Sequence, residues 1–281
     1  MEKARLDRSP TGARQRTWTR LGIVWAVPAL ASVLLAALSG PALAEDAACR
    51  AYQPIFSASG RLERVTSRLI RREPVRVLAI GSSSTEGIGA SSPAFSYPVQ
   101  LQADLARMWK GAVTVENAGK GGETIFETVG RLETIRRADR PDLVIWQVGT
   151  NDAVKGGDEA RFSALLRQGI DTAQALGVEM LLVDQQYYPT IRDIGRYERF
   201  VDLVNAMATV EQVPVFSRYR LMKAWGERSP DTLTSMLSSD GFHMGDRGYD
   251  CMARLIADGV QLMAAKKDAD PNPTVTTAAR R

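Results

Sequence analysis

The chain is 281 residues long and contains one histidine and two cysteines. Each scarcity excludes something. Two cysteines and one histidine cannot assemble a cysteine-type zinc centre, so no structural metal is expected. His243 is the sole imidazole of the chain. Excess charge is also missing from most of the sequence. Of 36 Lys and Arg against 32 Asp and Glu, six basic and two acidic groups fall in residues 1–44, which leaves 30 of each beyond them. No basic stripe remains to recruit nucleic acid, so no nucleic-acid partner is expected. There is no internal repeat, and no linker long enough to divide the chain.

Residues 1–20 are polar and basic, 21–38 are almost wholly apolar, and Ala42-Leu43-Ala44 has the small-x-small spacing that signal peptidase reads. Residues 1–44 are therefore expected to be a signal peptide, cleaved after Ala44, with the remainder periplasmic or secreted. The alternative is an uncleaved anchor, because the apolar run is long enough to span a bilayer. A membrane is a partner only if that segment is retained. In an oxidising compartment Cys49 and Cys251 are expected to form one bridge, tying the start of the mature chain to the last helix; two unpaired thiols are the alternative.

The organising stretch is residues 75–89, VRVLAIGSSSTEGIG. Its apolar start reads as a strand buried on both faces, running into a turn rich in glycine and serine. Further strands are expected at 113–115, 143–148, 180–183 and 213–216. Helices are expected at 56–72, 97–109, 124–137, 161–176, 197–210 and 249–264. This alternation predicts one α/β domain over residues 74–265: a doubly wound, flavodoxin-like sheet of about five parallel strands with helices on both faces. Residues 45–73 form a lead-in segment, and 266–281 read as a disordered tail.

Four loops carry polar or glycine signatures, and each has a plainer explanation when taken alone. Gly81-Ser82-Ser83-Ser84-Thr85 would serve as a helix cap, and Thr85 stands where a G-x-S-x-G elbow needs glycine. Gly121-Gly122 suits a tight turn. Gly149-Thr150-Asn151-Asp152 suits a cap or an Asx-turn. Asp240-Gly241-Phe242-His243 would serve as a helix-capping aspartate followed by a surface histidine, yet it also places a carboxylate three residues from the imidazole, near enough in sequence to fix its tautomer.

In combination and in this order, the four blocks resemble those of the SGNH (GDSL) hydrolase superfamily, over roughly residues 75–264. The resemblance implies an ester hydrolase that needs no cofactor. It implies Ser83 as nucleophile, His243 as general base and Asp240 as the residue that orients His243. The oxyanion hole would comprise the backbone N–H groups of Ser83 and Gly122 with the side-chain amide of Asn151. The spacing to Thr85 and Gly87 selects Ser83 over its neighbours Ser82 and Ser84. One departure stands out, since Ser82 occupies the place of the family's usual aspartate.

The expected substrate is a small ester or acylated polysaccharide, with O-acetyl groups on carbohydrate favoured for an exported enzyme. Tyr187 and Tyr188 are candidates to stack on a sugar ring. The alternatives are an O-acyltransferase of envelope polysaccharide, a lipase or thioesterase of the same superfamily, and a non-catalytic carbohydrate-binding protein.

Overall fold

The computed structural model describes Cys49 and residues 54–57, 60–111 and 113–265. The expected signal peptide and the expected tail lie outside the described residues. Among the described residues, no helix is long and apolar enough to cross a membrane.

The elements run β1 (Phe56–Ser57), α1 (Glu63–Ile70), β2 (Val75–Gly81), α2 (Ser83–Glu86), α3 (Tyr97–Trp109), β3 (Val113–Gly119), α4 (Ile125–Glu133), β4 (Leu143–Gln147) and α5 (Thr150–Val154). They continue with α6 (Glu159–Leu176), β5 (Glu179–Val183), α7 (Ile194–Val210), β6 (Val215–Phe216), α8 (Arg218–Arg228), α9 (Pro230–Met236) and α10 (Asp246–Ala265). The sheet order is β1-β6-β5-β4-β2-β3. The strands from β2 onward pair in parallel, which is the doubly wound order expected from the sequence.

Strand β4 shows why the sheet is covered twice. All five of its residues are buried, and they alternate in direction. Leu143 and Ile145 join the cluster built with Leu101, Leu105, Tyr249 and Ile256 of α3 and α10. Val144 and Trp146 join the opposite cluster with Val129, Leu166, Ile170 and Val204 of α4, α6 and α7. A strand that is apolar on both faces needs such a layer on each side.

The sequence reading differs from the structure at the sheet's edge. Phe56, expected to open the first helix, lies instead in β1, which pairs antiparallel with β6 through Phe56↔Phe216. The sheet thus has six strands, one of them antiparallel. Two residues are too few to show a period of two, so the pairing is invisible as a pattern. The Phe56 and Phe216 rings meet edge-on at 5.3 Å, and the pairing of β1 covers the edge that β6 would otherwise leave open. Helices α8 and α9, which the sequence reading does not anticipate, lie between β6 and the His243 loop.

The lead-in segment is fastened by carboxylates. Glu179 accepts from the backbone N–H groups of Arg64 and Val65 at the start of α1. Buried Asp142 accepts from Arg64, Arg68 and the N–H of Arg76. Cys49 and Cys251 are bridged, with Cα atoms 5.4 Å apart across 202 residues of sequence.

Candidate active site

Strand β2 delivers the serine run to the carboxyl end of the sheet, where α2 begins at once. Ser82 is the residue before α2, and Ser83 and Ser84 are successive helical residues pointing about 100° apart, so the three hydroxyls face three partners. Ser82 is buried, and both its N–H (3.0 Å) and its Oγ (3.1 Å) donate to Gln147 Oε1. Ser84 is buried and donates to Gln186 Oε1 at 2.8 Å. Ser83 is half-buried, and its Oγ lies 2.9 Å from His243 Nε2. The two rivals of Ser83 are thus occupied in holding the turn.

Gln147 is a residue that the sequence reading passes over. It closes β4, and its side-chain oxygen also receives the Thr85 hydroxyl at 3.3 Å. The signal is present: an amide at the end of an otherwise apolar, fully buried strand must find partners.

His243 lies in a closed loop. Leu237 and Met244 form an antiparallel bridge, and the N–H of Ser238 donates to the His243 carbonyl at 2.8 Å. Asp240 Oδ2 is 2.6 Å from His243 Nδ1. Its Oδ1 accepts from the Ser238 hydroxyl (2.7 Å) and from the N–H groups of Phe242 (2.9 Å) and His243 (2.8 Å). Partial burial pushes this carboxyl up. The His243 ring, the Ser238 hydroxyl and the two backbone donors outweigh that and hold it well below the usual carboxylate range. An ionised Asp240 can only accept, so Nδ1 carries the proton and Nε2 presents its lone pair to Ser83. The Phe242 ring packs edge-on against the imidazole, with centroids 4.8 Å apart.

The remaining two blocks are tied to each other, and the glycine block to the serine helix. Asn151, in the first turn of α5, donates from Nδ2 to the Glu123 carbonyl at 2.7 Å. A carbonyl can only accept, so the amide's orientation is settled and Nδ2 keeps a second hydrogen. Gly122 has φ +78°, and nothing lies within 4 Å of where a Cβ would stand, so glycine is required there for conformation rather than for space. Lys155 Nζ donates to the Gly122 carbonyl at 2.7 Å. The N–H of Gly121 donates to Glu86 Oε2 at 2.7 Å. Ser83 is the first residue of α2, where a backbone N–H has no intrahelical acceptor.

Asp152, next to Asn151, accepts from the Ile125 N–H with both oxygens at 3.2 Å and so ties α5 to the start of α4. Burial pushes its carboxyl up to about 6, against that backbone donor. A groove of about 320 Å³ lies between the start of α4 and α6, lined by Thr124, Phe126, Lys155 and Arg161; Ser83 and His243 are not among its lining residues.

Tyr187 and Tyr188 are both half-buried. Tyr188 reaches the histidine loop, with its ring 4.8 Å from that of Phe242. Tyr187 turns to Tyr219, centroids 5.7 Å apart, and is not brought to the Ser83–His243 pair by these contacts. Among the described residues, no cluster of His, Cys, Asp and Glu is arranged to hold a metal ion.

The fold and site together define a doubly wound α/β protein with a serine, a histidine and an aspartate in one hydrogen-bonded line at the sheet's carboxyl end. The chain belongs to the non-GDSL lipase-like family, whose profile matches residues 48–266. It is 27% identical over 107 residues to a thioesterase, protease and lysophospholipase of Escherichia coli, covering 38% of this chain and 49% of that protein. It is 30% identical over 104 residues to the esterase TesA of Pseudomonas aeruginosa, covering 36% and 52%. The chain thus spans about half the length of the curated relatives it matches. Among solved structures, a two-domain esterase active on acetylated mannans shares the fold, with a TM-score of 0.61 at 20% identity, over 77% of this chain and 57% of that one.

Proposed function

We propose that this protein is an exported serine esterase that removes short acyl groups, O-acetyl above all, from carbohydrate. The observation that carries the chemistry is the unbroken line Ser83 Oγ–His243 Nε2 (2.9 Å) and His243 Nδ1–Asp240 Oδ2 (2.6 Å). A serine hydroxyl is a poor nucleophile until an adjacent base takes its proton. Ser83 Oγ attacks the ester carbonyl carbon while His243 Nε2 accepts the hydroxyl proton, and Asp240 stabilises the resulting imidazolium. The tetrahedral oxyanion is received by the N–H groups of Ser83 and Gly122 and by the second Nδ2 hydrogen of Asn151. Each such donor is worth roughly 100- to 1000-fold in rate. Collapse expels the alcohol, which takes the proton from Nε2. Water then attacks the acyl-serine by the same proton path in reverse and releases the acid and free Ser83.

The carbohydrate assignment is supported by the related fold that acts on acetylated mannans and by Tyr188 at the rim of the histidine loop. Export is supported by the basic and apolar segments ending in Ala42-Leu43-Ala44 and by the Cys49–Cys251 bridge. The test is hydrolysis of an aryl acetate and of acetylated polysaccharide by the wild type and by Ser83→Ala. The variant is expected to be inactive on both, and a variant as active as the wild type would overturn the assignment. Rates across an acyl series from acetyl to long chains are expected to fall with length. A preference for long chains would move the protein to the lipases or thioesterases.

A further inference from the structure

Gln186 belongs to none of the four sequence blocks, yet it touches two of them. It follows β5 in the stretch Asp184-Gln185-Gln186-Tyr187-Tyr188, and only 1% of its surface is exposed. Its Oε1 accepts the Ser84 hydroxyl at 2.8 Å, and its Nε2 donates to the Phe242 carbonyl at 2.9 Å. Ser84 is the neighbour of Ser83, and Phe242 is the neighbour of His243. The orientation of the amide is unambiguous, because the Phe242 carbonyl can only accept. Its own backbone carbonyl accepts the Tyr197 hydroxyl at 2.7 Å, which anchors the residue to α7.

We propose that Gln186 is a positioning residue, a strap that sets the distance between the serine helix and the histidine loop. Resting on the esterase reading above, this names what keeps that reading's two central residues in register. Ser83 and His243 are 160 positions apart and lie on separate elements. Their hydrogen bond alone is a weak ruler, since it must break and re-form in every turnover. Gln186 supplies two neutral bonds, one buried and one partly buried, that take no part in proton transfer. It uses both functional groups of one short, fully enclosed side chain, so neither element can drift without leaving a buried polar atom unsatisfied. Gln147 plays a different part. It holds Ser82 and Thr85 to the sheet but has no bond to the histidine loop among the described residues.

The test uses two substitutions that cut different ends of the strap. Gln186→Met keeps volume and removes both bonds, while Ser84→Ala removes only the serine end. Misplacing catalytic groups by about 1 Å can cost on the order of 100-fold in rate. Each variant is therefore expected to lower kcat about 10- to 100-fold, leave KM within about twofold, and stay folded by circular dichroism at 25 °C. The double variant should be no slower than the slower single one, because a strap cut at both ends is no looser than one cut at either. Gln186→Glu should also lose rate, since its second oxygen would face the Phe242 carbonyl and repel it. The substrate-free readout is the downfield proton NMR signal of His243 Nδ1–H, expected to broaden or shift in Gln186→Met and to be unchanged in a surface control such as Lys110→Ala.

Unchanged kcat and an unchanged Nδ1–H signal in folded Gln186→Met would overturn the proposal. So would losses in the two single variants that multiply in the double. Should Gln186→Met not fold, Ser84→Ala and Gln186→Glu carry the same comparison. The esterase reading fails separately: it is lost if Ser83→Ala keeps wild-type activity, whatever the Gln186 variants do.

Discussion

Gly119, the last residue of β3, lies so close to the serine helix that a Cβ there would overlap the backbone nitrogen of Glu86. No flexible side chain is available to yield, because the obstructing atoms are the backbone of Thr85 and Glu86. Gly119→Ala is expected to push α2 away from β3, lowering kcat at least about 100-fold by the same displacement argument. Gly130, exposed on α4 with nothing within 4 Å of where a methyl would stand, is the matched control. Gly130→Ala should leave activity intact and stabilise the protein by up to about 1 kcal/mol through helix propensity. Activity assays and thermal melts of the pair separate crowding at the site from a general intolerance of alanine.

Asp240 is expected to act through charge and orientation together. Asp240→Asn puts an amide opposite Nδ1, and its N–H side competes with the ring for the same tautomer. The loss in kcat should reach about 100- to 10,000-fold with KM little changed. In the wild type the carboxyl is held ionised well below the usual range, so Asp240 should keep its charge, and its hold on Nδ1, throughout the range from about pH 4 to 6. An Asp240→Asn variant with the kcat of the wild type would refute the role.

Asp152 is expected to govern part of the stability profile. Its carboxyl is raised by burial from 3.8 in the free side chain to about 6 in the fold. Below both values the folded and unfolded chains carry the proton equally. Between about pH 4 and 6 the unfolded chain releases it first, so stability falls as pH rises through this window and then levels off. The contribution is on the order of 2–3 kcal/mol at most. Asp152→Asn cannot titrate and keeps an oxygen for the Ile125 N–H, so its melting temperature should vary less with pH across this window than that of the wild type. Parallel profiles for the two proteins would refute this.

The bridge between Cys49 and Cys251 closes a loop of 202 residues. Disulfides are typically worth about 2–4 kcal/mol, and the chain-entropy model puts a loop this long at about 5 kcal/mol. Cys49→Ser is expected to melt lower by that order and to keep its activity at 25 °C, because the bridge touches none of the catalytic groups. Melts of the variant and of the wild type with and without reductant check it; the reductant should have no effect on the variant.

The elements longest in sequence are the most legible. The five parallel strands and the helices between them follow from apolar periods over several residues, and α6 and α10 fall within two or three residues of their expected bounds. β1 and α9 escape because a pattern needs repeats before it can be seen, while α8 escapes although its 11 residues exceed the 9 of α4. The serine run illustrates the same limit within the site. Ser82, Ser83 and Ser84 are chemically identical, so composition cannot rank them, and only spacing to Thr85 and Gly87 favours the middle one.

What the sequence determined by itself is the class of fold, the order of the four loops and the inventory of groups, including one imidazole with a carboxylate three residues before it. Those are local properties, carried by hydrophobic period, turn residues and short spacing. Tertiary structure alone decided how near the Ser83 hydroxyl comes to His243, which carbonyl orients the Asn151 amide, and that Gln147 and Gln186 hold the turn. Each of these is a contact between residues 28 to 160 positions apart. Buried amides take whichever partners packing brings near them, and no local pattern encodes that choice. The run GSSST became a single directed hydroxyl only when β4, β5 and the His243 loop closed around it.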